Sequence, residues 1–126
     1  MSKKKYVVAL IEDDQMLLKY LAASLRHEKD FDVYTASDGE EGEALIRAKK
    51  PDLVLLDVVM PKKNGFDVLA SIKGDKATKG ITIVMLSNLG QAKDIEKAKD
   101  LGAADYLVKV EFEVDEIVAK VKAMLA

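Results

Sequence analysis

The chain has no cysteine among its 126 residues, which excludes a disulfide framework, a thiol nucleophile and a thiolate metal site. Two prolines and seven glycines are too few for collagen-like or linker-dominated material. An excess of one charge is also missing: 20 Lys and Arg stand against 22 Asp and Glu, a net −2. Nucleic-acid and anionic-membrane surfaces normally carry a basic excess, so neither partner is expected. Long apolar runs are absent too. The longest charge-free stretch, 80–92, is broken by Ser87, Asn88, Gly90 and Gln91, whereas a membrane helix needs about 18 or more apolar residues. Lys3, Lys4 and Lys5 precede the apolar Tyr6–Ile11 in the manner of a signal peptide. That stretch stops at Glu12, short of the roughly 7–15 residues such a core requires. Residues 1–5 therefore read as a basic tail, and the expected compartment is the cytoplasm.

What is present is the material of one self-sufficient domain spanning 1–126. Apolar residues make up 49% of the chain, far from the composition of disorder. The length falls within the usual range of about 100–200 residues for a single domain. Short aliphatic runs recur at Tyr6–Ile11, Phe31–Ala36, Leu53–Leu56, 81–86 and 106–108. Most are apolar on successive residues, as in strands buried on both faces of a parallel sheet. Charged stretches with helical spacing lie between them. Leu17, Leu21 and Leu25 form one stripe, on a helix over 15–27, and Ile117, Val121, Met124 and Leu125 form another. Asp38, with Glu41 three residues on, suits a helix N-cap, and Pro51 stops the helix that follows. Asn64-Gly65 and Gly102 read as turns. The fourth helix, near 90–101, carries only Ala92, Ile95, Ala98 and Leu101 as an apolar stripe and is expected to be the least firmly packed. The predicted class is α/β, a parallel sheet covered by helices on both faces.

Polar residues close the strands: Glu12, Asp13 and Asp14 the first, Asp57 the third, Ser87 the fourth and Lys109 the fifth. In open α/β sheets, ligands bind outside the carboxyl ends of the strands, at the switch point of strand order. The spacings 57 − 13 = 44, 87 − 57 = 30 and 109 − 87 = 22 correspond to about two, one and one βα units, so these side chains can converge. Converging carboxylates repel unless a cation sits among them. A hard ion such as Mg²⁺ takes oxygen ligands, typically one or two carboxylates plus phosphate oxygens. An acid cluster facing a lysine and a hydroxyl is thus a plausible phosphoryl site, with Asp57 as nucleophile. Asp14 reads as the N-cap of the 15–27 helix rather than a ligand. His27 reads as a surface residue without a partner, and Lys62-Lys63 as a solvated loop pair.

Taken together, the motifs have a familiar order. They are Glu12-Asp13 after an apolar strand, Asp57 within 55–61, Asn64-Gly65, Ser87 after an apolar run, and the stretch 102–109 ending on Lys109. The chain so ordered resembles bacterial two-component response-regulator receiver domains, of the stand-alone, chemotaxis-like kind. The resemblance covers 6–125. It implies a flavodoxin-like (βα)5 doubly wound sheet in the order 2-1-3-4-5. It makes Asp57 the phosphoacceptor. Asp13 would be the direct metal ligand, Glu12 would act through water, and the Val59 carbonyl would complete the Mg²⁺ site. Ser87 and Tyr106 would form the switch, and Lys109 would contact the phosphoryl group. It also implies a histidine kinase or phosphotransfer protein as donor. The output, to a downstream protein or a second copy, would run through the last two helices and last strand. The expected role is a signalling switch rather than an enzyme.

Plainer alternatives stand beside these roles. Glu12 would serve as an ordinary strand end, Ser87 would start a turn with Asn88, Tyr106 would be core, and Lys109 a solvated lysine. This sequence also departs from the family. Val110 replaces the proline that usually follows the lysine, leaving the Lys109-Val110 peptide trans or a strained cis bond. Asn88 stands where a very small residue is common, so access is expected to be narrower. Val59 and Leu89 flank the path of the attacking water and cannot hydrogen-bond it, so slow autodephosphorylation is expected. A phosphatase acting through an aspartyl-phosphate would want an aspartate at Val59. A nucleotide site would want Gly-x-Gly or Gly-Lys-Ser/Thr, and a serine hydrolase would want glycines at Met85 and Leu89. An interaction domain that is never phosphorylated remains as the rival reading.

Overall fold

Strands with no polar face must be covered on both sides, and the computed structural model, which describes residues 5–126, meets that demand with two helical layers. The elements run β1 (Tyr6–Ile11), α1 (Gln15–Arg26), β2 (Phe31–Ala36), α2 (Gly39–Lys49), β3 (Leu53–Leu56), α3 (Gly65–Lys73), β4 (Thr82–Ser87), α4 (Ala92–Asp100), β5 (Asp105–Val108) and α5 (Val114–Leu125). One 3₁₀ turn, Lys109–Glu111, joins β5 to α5. All strand pairings are parallel and the order is β2-β1-β3-β4-β5, as the resemblance implies. Of the basic tail expected over 1–5, only Lys5 lies within the described residues, and it is exposed.

Alternation along each strand divides the core. Ala9, Ile11, Val54, Leu56, Ile83 and Met85 face Ile46 of α2, Leu69 and Ile72 of α3 and Ala98 of α4. Their neighbours Val8, Leu10, Leu53, Leu55, Val84 and Leu86 face Leu21 and Leu25 of α1 and Ile117 and Val121 of α5. A helix α4 with Ala98 as its one buried residue, and no side-chain cap on Gln91, matches the expectation of weak packing.

Several boundaries move for local reasons. Ile81 is not a strand residue, because its N–H donates to Thr78 O in a turn (3.0 Å), and β4 runs on to Ser87. Pairing with Val84 draws Asp105 into β5 one residue before the expected start. Helix α1 ends at Arg26, with His27 as its C-cap. Helix α4 is shorter than the expected 90–101. Asn64-Gly65 is the start of α3 rather than a free turn: Asn64 Oδ1 accepts from Asp67 N–H at 3.0 Å. Lys50, left-handed at φ 44°, closes α2 ahead of Pro51. Asp14 caps α1, accepting from the Met16 and Leu17 amides, and Asp38 caps α2 through Glu41 N–H at 2.8 Å. No peptide bond is cis among the described residues, so Lys109-Val110 is trans.

The Lys62-Lys63 pair is not simply solvated. Lys62 adopts φ 69° and its ammonium lies 3.6 Å from Asp38. Lys63 is half-buried, bonded to Glu43 and, at 3.0 Å, to Ser71 Oγ.

Gly65 brings α3 against the end of β3. A Cβ there would lie 2.0 Å from the Asp57 carbonyl oxygen, backbone that cannot yield, whereas a Cβ on Gly80 meets nothing within 4 Å. Gly65→Ala is expected to lower stability by about 2–4 kcal/mol through overpacking. Gly80→Ala should stay within about 0.5 kcal/mol of the wild type. Urea midpoints at equal m-values check both.

Candidate functional site

The ladder itself carries the acids into place. Glu12 N–H donates to Ala36 O and Asp57 N–H to Ile11 O, both at 3.0 Å, so these two residues sit on backbone continuous with the central strands. Glu12 has no exposed surface, while Asp57 and Ser87 are 4% and 1% exposed. Asp13 faces solvent. A carboxylate oxygen from each of Glu12, Asp13 and Asp57 lies within 4.8 Å of the others.

Lys109, reaching in from the end of β5, is the cation set against them. Its Nζ is 2.7 Å from Glu12 Oε1 and 3.1 Å from Asp57 Oδ2. Asp57 Oδ1 accepts from Val58 N–H at 2.7 Å, and Glu12 Oε2 accepts from Asp14 N–H at 3.0 Å. Ser87 Oγ accepts from Leu89 N–H at 3.2 Å. The Tyr106 hydroxyl donates to Leu89 O, while its half-buried ring packs on the core. A cavity of about 260 Å³ is lined by Asp13, Asp57, Ser87 and Lys109, together with Val59, Asn88 and Leu89. Of the residues given a metal, phosphoryl or switch role from the sequence, all but Glu12 and Tyr106 border it. Those two stand one layer behind, Glu12 through Lys109 and Tyr106 through Leu89.

Electrostatics follow from this burial. Glu12 is pushed up to about 7, chiefly by burial, with Asp57 adding to the rise and Lys109 opposing it. Burial and the Asp57 charge likewise raise Asp13. For Lys109 burial works downward, but the Glu12 and Asp57 carboxylates overcome it and hold the ammonium above its ordinary value. Burial also raises the Tyr106 phenol, against a smaller opposite pull from Ser87.

With all three carboxylates ionised, they and the one ammonium sum to −2, which the raised Glu12 and Asp13 values resist in the absence of a cation. Glu12 Oε1 is buried without a hydrogen bond of good geometry, close to Lys109 but misaligned with it. An all-oxygen donor set whose charge one ammonium does not balance, with a Glu12 oxygen that Lys109 meets off-axis, fits a hard divalent cation.

Residues 8–122 match the family described as response regulator receiver domain. The chain belongs to that family. Receiver domains are the phosphoacceptor signalling switches of two-component response regulators, and this chain is one. It is similar to the DNA-binding dual master transcriptional regulator RpaA of Synechocystis sp., 38% identical over 118 residues, which are 94% of this chain and 48% of that protein. The DNA-binding response regulator MtrA of Mycobacterium tuberculosis is 36% identical over 118 residues, 94% of this chain and 50% of its own length. The receiver therefore spans about half the length of the curated relatives it matches, and their names do not support the expectation of no nucleic-acid role. Among solved structures, a putative response regulator from Chloroflexus aurantiacus superposes with a TM-score of 0.85 at 30% identity, covering 97% of this chain and 98% of that one. The phosphorylated cyanobacterial phytochrome response regulator RcpA superposes at 0.79 with 30% identity, covering 95% and 91%. No helix among the described residues is long and apolar enough to cross a membrane.

The sequence did not point to the two lysine contacts that tie the 58–64 loop to α2. Their partners, Asp38 and Glu43, lie 24 and 20 residues away, beyond any local pattern.

The raised Glu12 pKa has a defined sign. The native protein holds this proton more tightly than the unfolded chain, whose ordinary value is 4.5. The resulting stability is complete below that value and is lost as pH rises to about 7. The cation-free receiver is thus expected to melt lower at about pH 8 than at about pH 5, with Glu12→Gln flattening the difference. Since a cation competes with the proton, MgCl₂ should raise Tm more at the higher pH. Thermal scans across that range check both effects.

Proposed function

We propose that this receiver accepts a phosphoryl group on Asp57 from a phosphohistidine of a partner histidine kinase or phosphotransfer protein. A carboxylate oxygen of Asp57 bonds to phosphorus as the phosphorus–nitrogen bond breaks, and the departing imidazole takes up a proton. The observation that carries this reading is Asp57 itself: buried, at the edge of the cavity, with Oδ2 on Lys109 and Ser87 across the same space. Glu12, Asp13, Asp57 and the Val59 carbonyl would hold Mg²⁺, Glu12 through water. When bound, the ion neutralises charge on the transferring oxygens. Lys109 stabilises a phosphoryl oxygen from the opposite side, and the Ser87 hydroxyl donates a hydrogen bond to another.

Phosphorylation adds charge and acceptor oxygens where Ser87 now accepts from Leu89 N–H. Redirecting Ser87 toward the phosphoryl group frees the Leu89 peptide, to which Tyr106 is also bonded. The surface of α4, β5 and α5 would then change and engage a downstream protein or a second copy. The role is a switch, since no separate substrate is turned over. DNA binding, named for the longer RpaA and MtrA, finds no basic excess in this receiver's net charge of −2, and we assign its contacts to proteins.

Phosphoramidate or acetyl phosphate with Mg²⁺ should add one phosphoryl group by intact mass in the wild type and none in Asp57→Ala. An adduct that persists in that variant, or no adduct at all, overturns the assignment and leaves an interaction domain that is never phosphorylated.

Hydrolysis of the aspartyl-phosphate is expected to be slow, because the side chains of Val59 and Leu89, 61% and 39% exposed, offer water no hydrogen bond. Val59→Asn with Leu89→Glu should shorten the phosphoryl lifetime by about a hundredfold, the low end of what a positioned acid–base group contributes. Decay of the mass adduct gives that lifetime.

A further inference from the structure

The loop 58–64 carries Val59 to the cavity edge and is held at both ends. Val58 N–H bonds the Asp57 carboxylate at 2.7 Å, and Gly65 N–H bonds Val58 O at 2.7 Å. Among the described residues no protein group hydrogen-bonds the Val59 carbonyl, so its place depends on how the rest of the loop is fixed. That fixing comes from α2. Gly39 N–H reaches Pro61 O at 3.3 Å, and Lys63 N–H bonds the same oxygen at 2.8 Å. The Lys63 ammonium is clamped between Glu43 and Ser71 Oγ.

Glu43 is itself held in place. Arg47 Nε donates to it at 3.1 Å, and Arg47 Nη1 donates to Asp75 at 2.7 Å. Burial would raise the Glu43 carboxyl, but Lys63 and Arg47 overcome it and keep the carboxyl below its ordinary value. A chain of charges therefore runs from the turn after α3, across α2, into the middle of the loop. Lone surface ion pairs contribute little, but a network of half-buried pairs with fixed partners holds geometry.

We propose that Lys63 is a positioning residue for the cation site: its clamp on Glu43 and Ser71 fixes the 58–64 loop against α2 and so holds the Val59 peptide where the cation needs it. This rests on the reading of Glu12, Asp13, Asp57 and Val59 as the Mg²⁺ site. Lys63 touches neither ion nor phosphoryl group; it acts through the loop, as outer partners of a metal site act through its ligands.

The test is titration of the unphosphorylated protein with Mg²⁺ alone, followed by amide NMR shifts. Lys63→Met keeps the apolar stem and removes the charge. Mg²⁺ affinity should fall about tenfold, the low end of what outer partners contribute. Lys63→Arg should restore it. Lys122→Met, which breaks the 2.9 Å ion pair from α5 to Glu28 in the turn after α1, should bind as the wild type does. Phosphorylation of Lys63→Met by phosphoramidate should be slow at limiting Mg²⁺ and normal at saturating Mg²⁺. Should Lys63→Met not fold, Glu43→Gln weakens the same clamp from the other side and carries the same expectation. Unchanged affinity in the clamp variants, or an equal loss in Lys122→Met, overturns the positioning role. A wild type that takes up no Mg²⁺ overturns the site reading instead, and the clamp's role with it.

Discussion

Negative charge buried at the switch point of the sheet, with too little positive charge beside it, is the constraint on which the rest of the structure depends. Glu12 and Asp57 end neighbouring strands and have almost no contact with water. Each such charge is costly unless paired. Lys109 supplies one ammonium for both, and Asp13 adds a third carboxylate. The protein alone leaves that account unbalanced, and it does so where the strand order reverses and the cavity opens. A cation and a phosphoryl group are complementary ligands for such a place, since one meets the carboxylates and the other meets Lys109.

The sheet exists to hold that arrangement still. Asp57 cannot drift, because its amide remains in the ladder with Ile11 and its neighbour Gly65 packs directly on its carbonyl. Glu12 is fixed in the same way through Ala36. Apolar residues on both faces of β1, β3 and β4 make these three strands the least deformable part of the domain. A carboxylate placed on such backbone is held far more firmly than one on a loop, as the proposed role of Asp57 as nucleophile would require.

The sequence made the fold legible wherever period and position carry direct physical meaning. Unbroken aliphatic runs in β1, β3 and β4 signal burial on both faces, and polar residues at their ends signal the binding edge. Boundaries were less legible. The turn at Thr78 claims the Ile81 amide, and parallel pairing recruits the polar Asp105, and neither is visible in local composition. The acid cluster could be read from three strand ends and their spacing. The Lys62 and Lys63 contacts could not, since two adjacent lysines look solvated until the fold brings Asp38 and Glu43 beneath them. Long-range pairing of flexible charged side chains leaves no periodic trace. Nor did the sequence place the Tyr106 hydroxyl, whose partner is a main-chain carbonyl that any residue at 89 would supply.

The two sides of the cavity differ in stiffness, and a switch requires this asymmetry. On one side stand β1, β3 and the 58–64 loop, tied down by ladder bonds and by ion pairs to α2. On the other side the β4–α4 connection carries Asn88 and Leu89, and α4 is anchored by a single buried residue with no side-chain cap. Lys97 over the Phe66 ring, at 4.6 Å, adds one adaptable contact. A ligand shifts an equilibrium only by interacting differently with two states. On the proposed reading, a charge added at Asp57 would meet partners on the first side that ladder bonds and ion pairs hold in place. On the second side Ser87 Oγ accepts from Leu89 N–H and the Tyr106 hydroxyl donates to Leu89 O, two bonds to the segment that leads into α4. On the proposed reading, the firm side would set where the phosphoryl group sits, and the yielding side would determine what its arrival changes.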